Sequence, residues 1–270
     1  METAEQKALR TISAEAAKKI PYVGSVAGPL VKVLWVIKEP SLWDQIKDQV
    51  GAFVEKKLVE QRLNALNAKL KGYASTLDFI CTLEGKSQFT DLKAFQIVLE
   101  TDRYLFYETS GNNDVVRQTL PLFTPMAVIH VMVSNLVASL SDEFEKVESN
   151  KKAFNAKYES LKKEYSDYGY QSAVNTANWR INLVEISSKT ETTHFSGQSI
   201  NYTTLKCYDR FENKTIVDRK YSQFEFKDQI SDNNKMNNYK KSIAGQTREY
   251  WEDTVLSKTT NWGSPAKIPA

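Results

Sequence analysis

The chain has 270 residues, of which 26% are charged, and a net charge of +3 with acids and bases interleaved along its length. That length can bury a sizeable core as one large domain. The mixed charges lack the clustered Lys/Arg of a nucleic-acid binder, and two cysteines, Cys81 and Cys207, are too few for a disulfide framework.

The N-terminus, METAEQKALRTISAEAAKK, is charged and helix-prone. It has no apolar run ahead of a small-residue cleavage site, so no secretory signal is read. The expectation is a protein made in the cytoplasm, or released by a non-classical route or by lysis. Residues 3–19 read as a polar amphipathic first helix ended by Pro21. Tyr22–Ile37 is strongly apolar but interrupted by Gly24, Gly28 and Pro29, which predicts a broken or late-starting helix too short to span a bilayer alone. Ser41, with Asp44 three residues on, has the spacing of a capping box, and opens a helix running towards Glu60.

Leu63, Leu66, Leu70, Tyr73, Leu77 and Ile80 then recur at alternating spacings of three and four, the seam of a long bundle helix that Glu84-Gly85-Lys86 ends. Leu92, Phe95, Leu99 and Phe106 carry a further amphipathic helix, with Asp91, Lys93, Glu100, Asp102 and Arg103 assigned to its wetter face. Ser110–Asp114 reads as a turn or C-cap.

Gln118–Ser141 is the stretch around which the rest is organised. It contains no Asp, Glu, Lys or Arg. As a helix of about 1.5 Å per residue it reaches roughly 36 Å, against a hydrocarbon core of about 30 Å. Pro121 and Pro125 fall in its first third. On a helical wheel Met126, Ile129, Met132, Val133, Leu136, Val137 and Leu140 fill a broad apolar arc. Ala127, His130, Ser134, Asn135 and Ala138 fill a small, weakly polar one. A helix with no charged face is buried on all sides, in a protein core or in a bilayer. His130 therefore has two readings, a hydrogen-bonded core histidine or a protonatable group that loosens the helix or lines a lumen.

Phe154, Tyr158, Leu161, Tyr165 and Tyr168 stripe the next helix, from about Glu148 to Trp179. The period then changes. Residues 181–186, 199–208 and 214–226 alternate and are rich in Thr, Val, Ile, Tyr and Phe, which reads as strands, with Phe211–Lys214 a hairpin connection. Met236, Tyr239, Ile243, Tyr250 and Val255 restore helical spacing from about Asp232 to Lys258, and residues 261–270 read as a loose tail. The expected fold is mainly α: about seven helices bundled around a central hydrophobic helix, with a small antiparallel β insertion before the last. The whole of 1–270 is expected to form one domain, with helices over 1–183, the insertion over 184–228 and the last helix over 230–260.

Catalytic and cofactor signatures are missing from this pattern. His130 and His194 lack the spaced partners of a zinc helix, and no Gly-x-Ser-x-Gly elbow or dinucleotide fingerprint occurs. Gly85-Lys86-Ser87 resembles the end of a phosphate loop, but Ile80 stands where its first glycine belongs. No catalytic, cofactor-binding or metal residues are assigned. Asn201-Tyr202-Thr203 and Asn213-Lys214-Thr215 match the glycosylation sequon, an accident of an Asn- and Thr-rich region in a chain read as lacking a signal peptide.

Residues 37–44 (IKEPSLWD), Gln61-Arg62, Leu70-Lys71-Gly72-Tyr73 and Leu120-Pro121-Leu122-Phe123, the last leading into the apolar helix, come in a shared order with the Tyr158–Tyr170 stripe. Together they resemble the helical N-terminal domain of the three-domain Cry δ-endotoxins over roughly residues 20–180. The resemblance implies a bundle that opens on a target-cell membrane. It would insert the hairpin of residues 91–118 and 124–144 and oligomerise with itself into a cation-permeable pore. On that reading Met126, Ile129, Val133, Leu136, Val137 and Leu140 enter the membrane, while His130, Ser134 and Asn135 line the pore or switch it. A receptor is possible. The alternative is a soluble interaction or scaffold protein that keeps the bundle without the pore and binds its partner through Tyr202, Tyr208, Tyr221 and Phe224 of the β insertion, expected to be exposed.

Overall fold

The computed structural model describes residues 56–107 and 112–269. The expected elements before residue 56, and Ser110 and Gly111 of the expected turn, lie outside the described residues. The fold is mainly helical, with a central apolar helix and a three-stranded antiparallel sheet before the last long helix. It has two compact units. One comprises the described residues through Ser172 together with Thr254–Ala266, the other Ala173–Asp253 with the residues from Lys267 on.

In the first unit, α1 (Lys56–Ile80) buries Leu63, Leu66, Leu70, Tyr73, Leu77 and Ile80, the whole predicted seam. It ends at Ile80. Gly85 instead opens α2 (Gly85–Asp102) at a φ of +58°, a left-handed value that favours a residue without a Cβ. A 3-10 turn, Arg103–Leu105, follows. The central helix α3 spans Asn113–Phe144 and so begins before the apolar run. Its start is set by Asn112, whose Oδ1 accepts from the Val115 N–H at 3.3 Å and whose carbonyl accepts from Val116. The expected turn residue is thus an N-cap. Pro121 and Pro125 lie inside α3 without ending it. Each removes one N–H donor from the ladder, while Leu120, Leu122 and Phe123 beside them are fully or almost fully buried and hold the segment by packing.

Helix α4 spans Glu148–Asn182 and belongs to the first unit through Ser172. Leu161 and Tyr165 of its predicted stripe are buried. Gly169 allows a close approach: a Cβ there would lie 3.2 Å from Thr259 Cγ2 and 3.3 Å from Val255 Cγ1. Those residues belong to the last segment of the unit, where a π turn (Glu252–Leu256), a short α6 (Ser257–Thr259) and a 3-10 turn follow each other. Ser264 is buried and pairs with Ser166, its Oγ 2.6 Å from the Ser166 Oγ.

In the second unit α4 continues to Asn182, and β1 (Val184–Phe195), β2 (Gln198–Asp209) and β3 (Lys214–Ser222) form a meander in that order. The β1–β2 hairpin closes through Ser196 and Gly197, both at positive φ, as the twist of a two-residue hairpin turn requires. Helix α5 spans Phe226–Trp251, starting six residues earlier than its periodicity indicates. Val184, Leu205, Cys207, Val217 and Tyr221 of the sheet pack with Met236, and Tyr239 and Ile243 of α5 flank them. Asp209, fully buried, organises this core. It accepts two bonds from Arg180 at 3.1 and 2.9 Å, one from the Tyr239 hydroxyl at 2.8 Å, and the backbone N–H groups of Phe211 and Glu212. Ile268 is buried, and its N–H donates to Glu252.

Candidate functional site: the central helix and its polar seam

Met126, Ile129 and Val133 of α3 are fully buried, as is Val137, and Leu136 is 4% exposed, while Leu140 is half-buried near the helix end. Burying one such side chain contributes about 2 kcal/mol, so these five buried residues together contribute on the order of 10 kcal/mol. Thr119–Phe144 is the one helical segment among the described residues long and apolar enough to cross a membrane. Length and composition alone do not separate such a helix from the core of a soluble protein, and here nearly all of it is covered by its neighbours.

The polar arc of α3 meets α2. Ser134 is fully buried and accepts from Gln96 Nε2 at 2.9 Å, whereas Asn135 is half-buried. One turn earlier His130 is fully buried. Its Nδ1 lies 2.8 Å from the Tyr165 hydroxyl of α4, and its Nε2 faces Glu100 Oε2 of α2 at 3.6 Å. With the tyrosine donating to Nδ1, the proton sits on Nε2, which faces the Glu100 carboxylate at a separation too long for a hydrogen bond. The seam of α2 therefore reads Gln96 and Glu100, one turn apart, against Ser134 and His130.

Here the sequence expectation for α2 is corrected. Of Asp91, Lys93, Glu100, Asp102 and Arg103, all expected on the wetter face, Arg103 is buried and the other four are half-buried, while the exposed face carries Ile97, 68% exposed, and Val98, 46% exposed. The charges turn inward because partners are waiting. Asp102 accepts from Lys69 Nζ at 2.8 Å and from the Tyr73 hydroxyl at 2.6 Å, both on α1. Arg103 donates to Glu164 of α4 at 2.8 Å, and Lys157 of α4 lies 2.7 Å from Glu100. Phe123 and Tyr165 stack edge-to-face at 5.5 Å. The contacts divide into two sets. Gln96–Ser134 and Glu100–His130 lie within the α2–α3 pair. The Lys69, Tyr73, Lys157, Glu164 and Tyr165 contacts hold that pair to α1 and α4.

In this closed form α3 is surrounded by protein. Burial pushes the His130 pKa down to about 4; the carboxylate of Glu100 opposes the shift, and the charges of Lys157 and Arg103 add to it. Burial raises Glu100, but Lys157, Arg103 and His130 outweigh it and hold the carboxyl below its ordinary value. The resting state is an uncharged imidazole beside an ionised glutamate. Among the described residues no three His, Cys, Asp or Glu side chains come together as a metal site.

The predicted contact residues of the insertion separate. Phe224 is 79% exposed, and Tyr202 and Tyr208 are half-buried. Lys220 lies over the Tyr202 ring, and the Tyr208 hydroxyl donates to Asn213. Tyr221 is buried rather than exposed: it alternates inward with Val217, and its hydroxyl donates to Asp232 of α5. Phe226 and Ile230 are exposed as well, on the first turns of α5, which starts ahead of the apolar spacing that marks the rest of the helix.

A central helix with a 24-residue uncharged run, buried among amphipathic helices and tied to them by ion pairs as well as apolar packing, defines a class of helical bundle. The chain belongs to the delta endotoxin N-terminal domain family, which matches residues 12–209. That family is a membrane-acting toxin domain, not a known enzyme. No curated protein matches the chain.

Proposed function

We propose that this protein permeabilises a target membrane by inserting the α2–α3 hairpin and oligomerising into a cation-permeable pore. The observation that carries the reading is the sheathed central helix. Met126, Ile129, Val133, Leu136, Val137 and Leu140 form an apolar surface that a bilayer would cover as well as the bundle does. The Gln96–Ser134 bond and the facing of Glu100 on His130 lie within the hairpin and can persist when it leaves α1 and α4, whereas the His130–Tyr165 bond to α4 must break. Ile97 and Val98 already give α2 an apolar outer face. In the inserted state that face meets lipid, while His130, Ser134 and Asn135 face the lumen or the partner helix. Membrane lipid and further copies of the chain are its partners. A trigger must favour the inserted state over the closed one, by pH, proteolysis or lipid contact.

Dye release from neutral and anionic liposomes at pH 5, 7 and 9, with and without mild proteolysis, tests the reading. Val133→Asp places a carboxylate on the inserting surface and abolishes release. Because Val133 is fully buried, Ile97→Asp provides the variant that keeps its fold. It adds a charge to an exposed position, where substitutions usually change stability by no more than about 0.5 kcal/mol, yet costs about 3 kcal/mol at the bilayer centre. A folded Ile97→Asp protein that releases dye like the parent overturns the hairpin assignment.

A further inference from the structure

Among the side chains described in the second unit, the exposed large apolar ones fall in one stretch of seven residues. They are Phe224, 79% exposed, Phe226, 64%, and Ile230, 43%. They sit where β3 hands over to α5. Phe226 and Ile230, four residues apart, share one face of the helix. Exposed apolar groups gathered in this way mark a contact surface.

The charges around them have a sign. At 100° per residue the inward side of α5 is fixed by Met236, Tyr239 and Ile243, which meet the sheet, and by Asp232, which accepts from Tyr221. The outward arc of the first four turns then holds Phe226, Lys227, Ile230, Asn234, Asn237 and Lys241, with no Asp or Glu. Asp228 and Asp232, the two acids of those turns, fall on the other half. Glu225 stands between the two phenylalanines, but its Oε2 is taken up by the turn. It accepts the Ser222 N–H at 2.8 Å and the Ser222 hydroxyl at 2.9 Å.

We propose that this corner is a membrane-docking site: Phe224, Phe226 and Ile230 enter the headgroup boundary of an anionic bilayer while Lys227 and Lys241 lie against its phosphates. Aromatic and branched apolar anchors beside lysines are the composition of a helix that lies in the interface rather than across it. An acid-free outward arc favours a negatively charged surface over a mixed protein surface. The docking step rests on the membrane-active reading above, and it gives that reading a means of reaching lipid before any hairpin moves.

The experiment is co-flotation of the full-length protein with vesicles of phosphatidylcholine alone, and with about a third phosphatidylglycerol, at low and high salt. The parent is expected to bind the anionic vesicles and to be weakened by salt. Phe224→Ser with Phe226→Ser is expected to lower partitioning on the order of 100-fold, about tenfold for each ring withdrawn from the interface, with an unchanged thermal midpoint. Lys227→Glu with Lys241→Glu should weaken binding to anionic vesicles and leave neutral vesicles unaffected. Ile97→Asp is the discriminating control. If it binds normally but releases no dye, docking and hairpin insertion both stand. If the parent releases no dye yet binds through the phenylalanines, the pore reading fails and docking survives. A parent that binds no vesicle, a double-serine variant that binds like the parent, or a patch whose loss changes only self-association or protein capture overturns the proposal.

Discussion

His130 makes the closed bundle sensitive to acid in a way that can be worked from its surroundings. The groups acting on it are Glu100 of α2, Arg103 of the turn that follows, and Lys157 and Tyr165 of α4. The folded-state pKa is about 4, against an ordinary 6.5. A depressed pKa means that the folded state takes up its proton late. The contribution to stability is fully present above 6.5 and is lost as pH falls towards 4. By linkage the loss is about 1 kcal/mol at pH 6, about 2 kcal/mol at pH 5 and about 3 kcal/mol below pH 4. Glu100, held low, acts in the same direction at more acid pH. His130→Gln removes the titration but retains a partner for Tyr165. Thermal unfolding followed by circular dichroism should show the parent falling, between pH 7.5 and 5, by about 4–8 °C more than His130→Gln. Titrations not coupled to His130 are common to both proteins and cancel in the difference, and the coupled carboxyl of Glu100 is held below its ordinary value, towards pH more acid than this window. Parallel pH profiles would show that His130 does not set the acid sensitivity and would refute the linkage argument.

Arg103→Ala leaves Glu164 without its ion-pair partner and opens space beneath Tyr104. We expect a loss of about 2–3 kcal/mol in urea unfolding and, if the hairpin is released from α4, dye release at a milder trigger. Asp209→Asn removes the charge that Arg180 pairs with bidentately, and should cost about 3 kcal/mol. Loss of hydrogen-exchange protection in β2 and α5, with α1–α3 unaffected, is the check. Asp209 is raised by burial but more strongly lowered by Arg180 and Tyr239. Its stabilisation is therefore present above the ordinary carboxylate pKa and lost as pH falls below it. Ile97→Asp should fold like the parent and fail to release dye, and Phe224→Ser with Phe226→Ser should fail at the earlier step of vesicle binding.

The candidate site was half legible. The apolar arc of α3 could be read because its pattern is local: seven apolar residues at helical spacing and no charge in a run of 24 residues, Gln118–Ser141, are properties of one segment. His130 was flagged as an oddity in that pattern, but its partners were not. Tyr165 lies 35 positions away and Glu100 30, and no periodicity links them. The charges of α2 were assigned to water, since a lone charge belongs there. Only the arrival of Lys157 and Glu164 on α4, and of Lys69 on α1, makes it favourable to turn them inward.

What the sequence determined by itself is the long helices of the described residues and the identity of the central one. Helix formation and burial preference are written in the spacing of apolar residues: α1 buries all the residues that spacing selects, α3 all but the half-buried Leu140, and α4 buries Leu161 and Tyr165 while Phe154, Tyr158 and Tyr168 are half-buried. It also determined that strands precede the last long helix. Tertiary structure alone decided which face of α2 looks out, that Tyr221 turns inward while Phe224 does not, and that β1 and β2 pair over twelve residues each. The stretch Ser187–His194 of β1 is Ser, Lys, Thr, Glu and His with no apolar residue, so its place in the hairpin depends on backbone pairing, which side chains do not encode. Where a residue's energy comes from its own transfer out of water, the sequence suffices. Where it comes from a partner brought from a distant segment, only the fold can say which partner arrives.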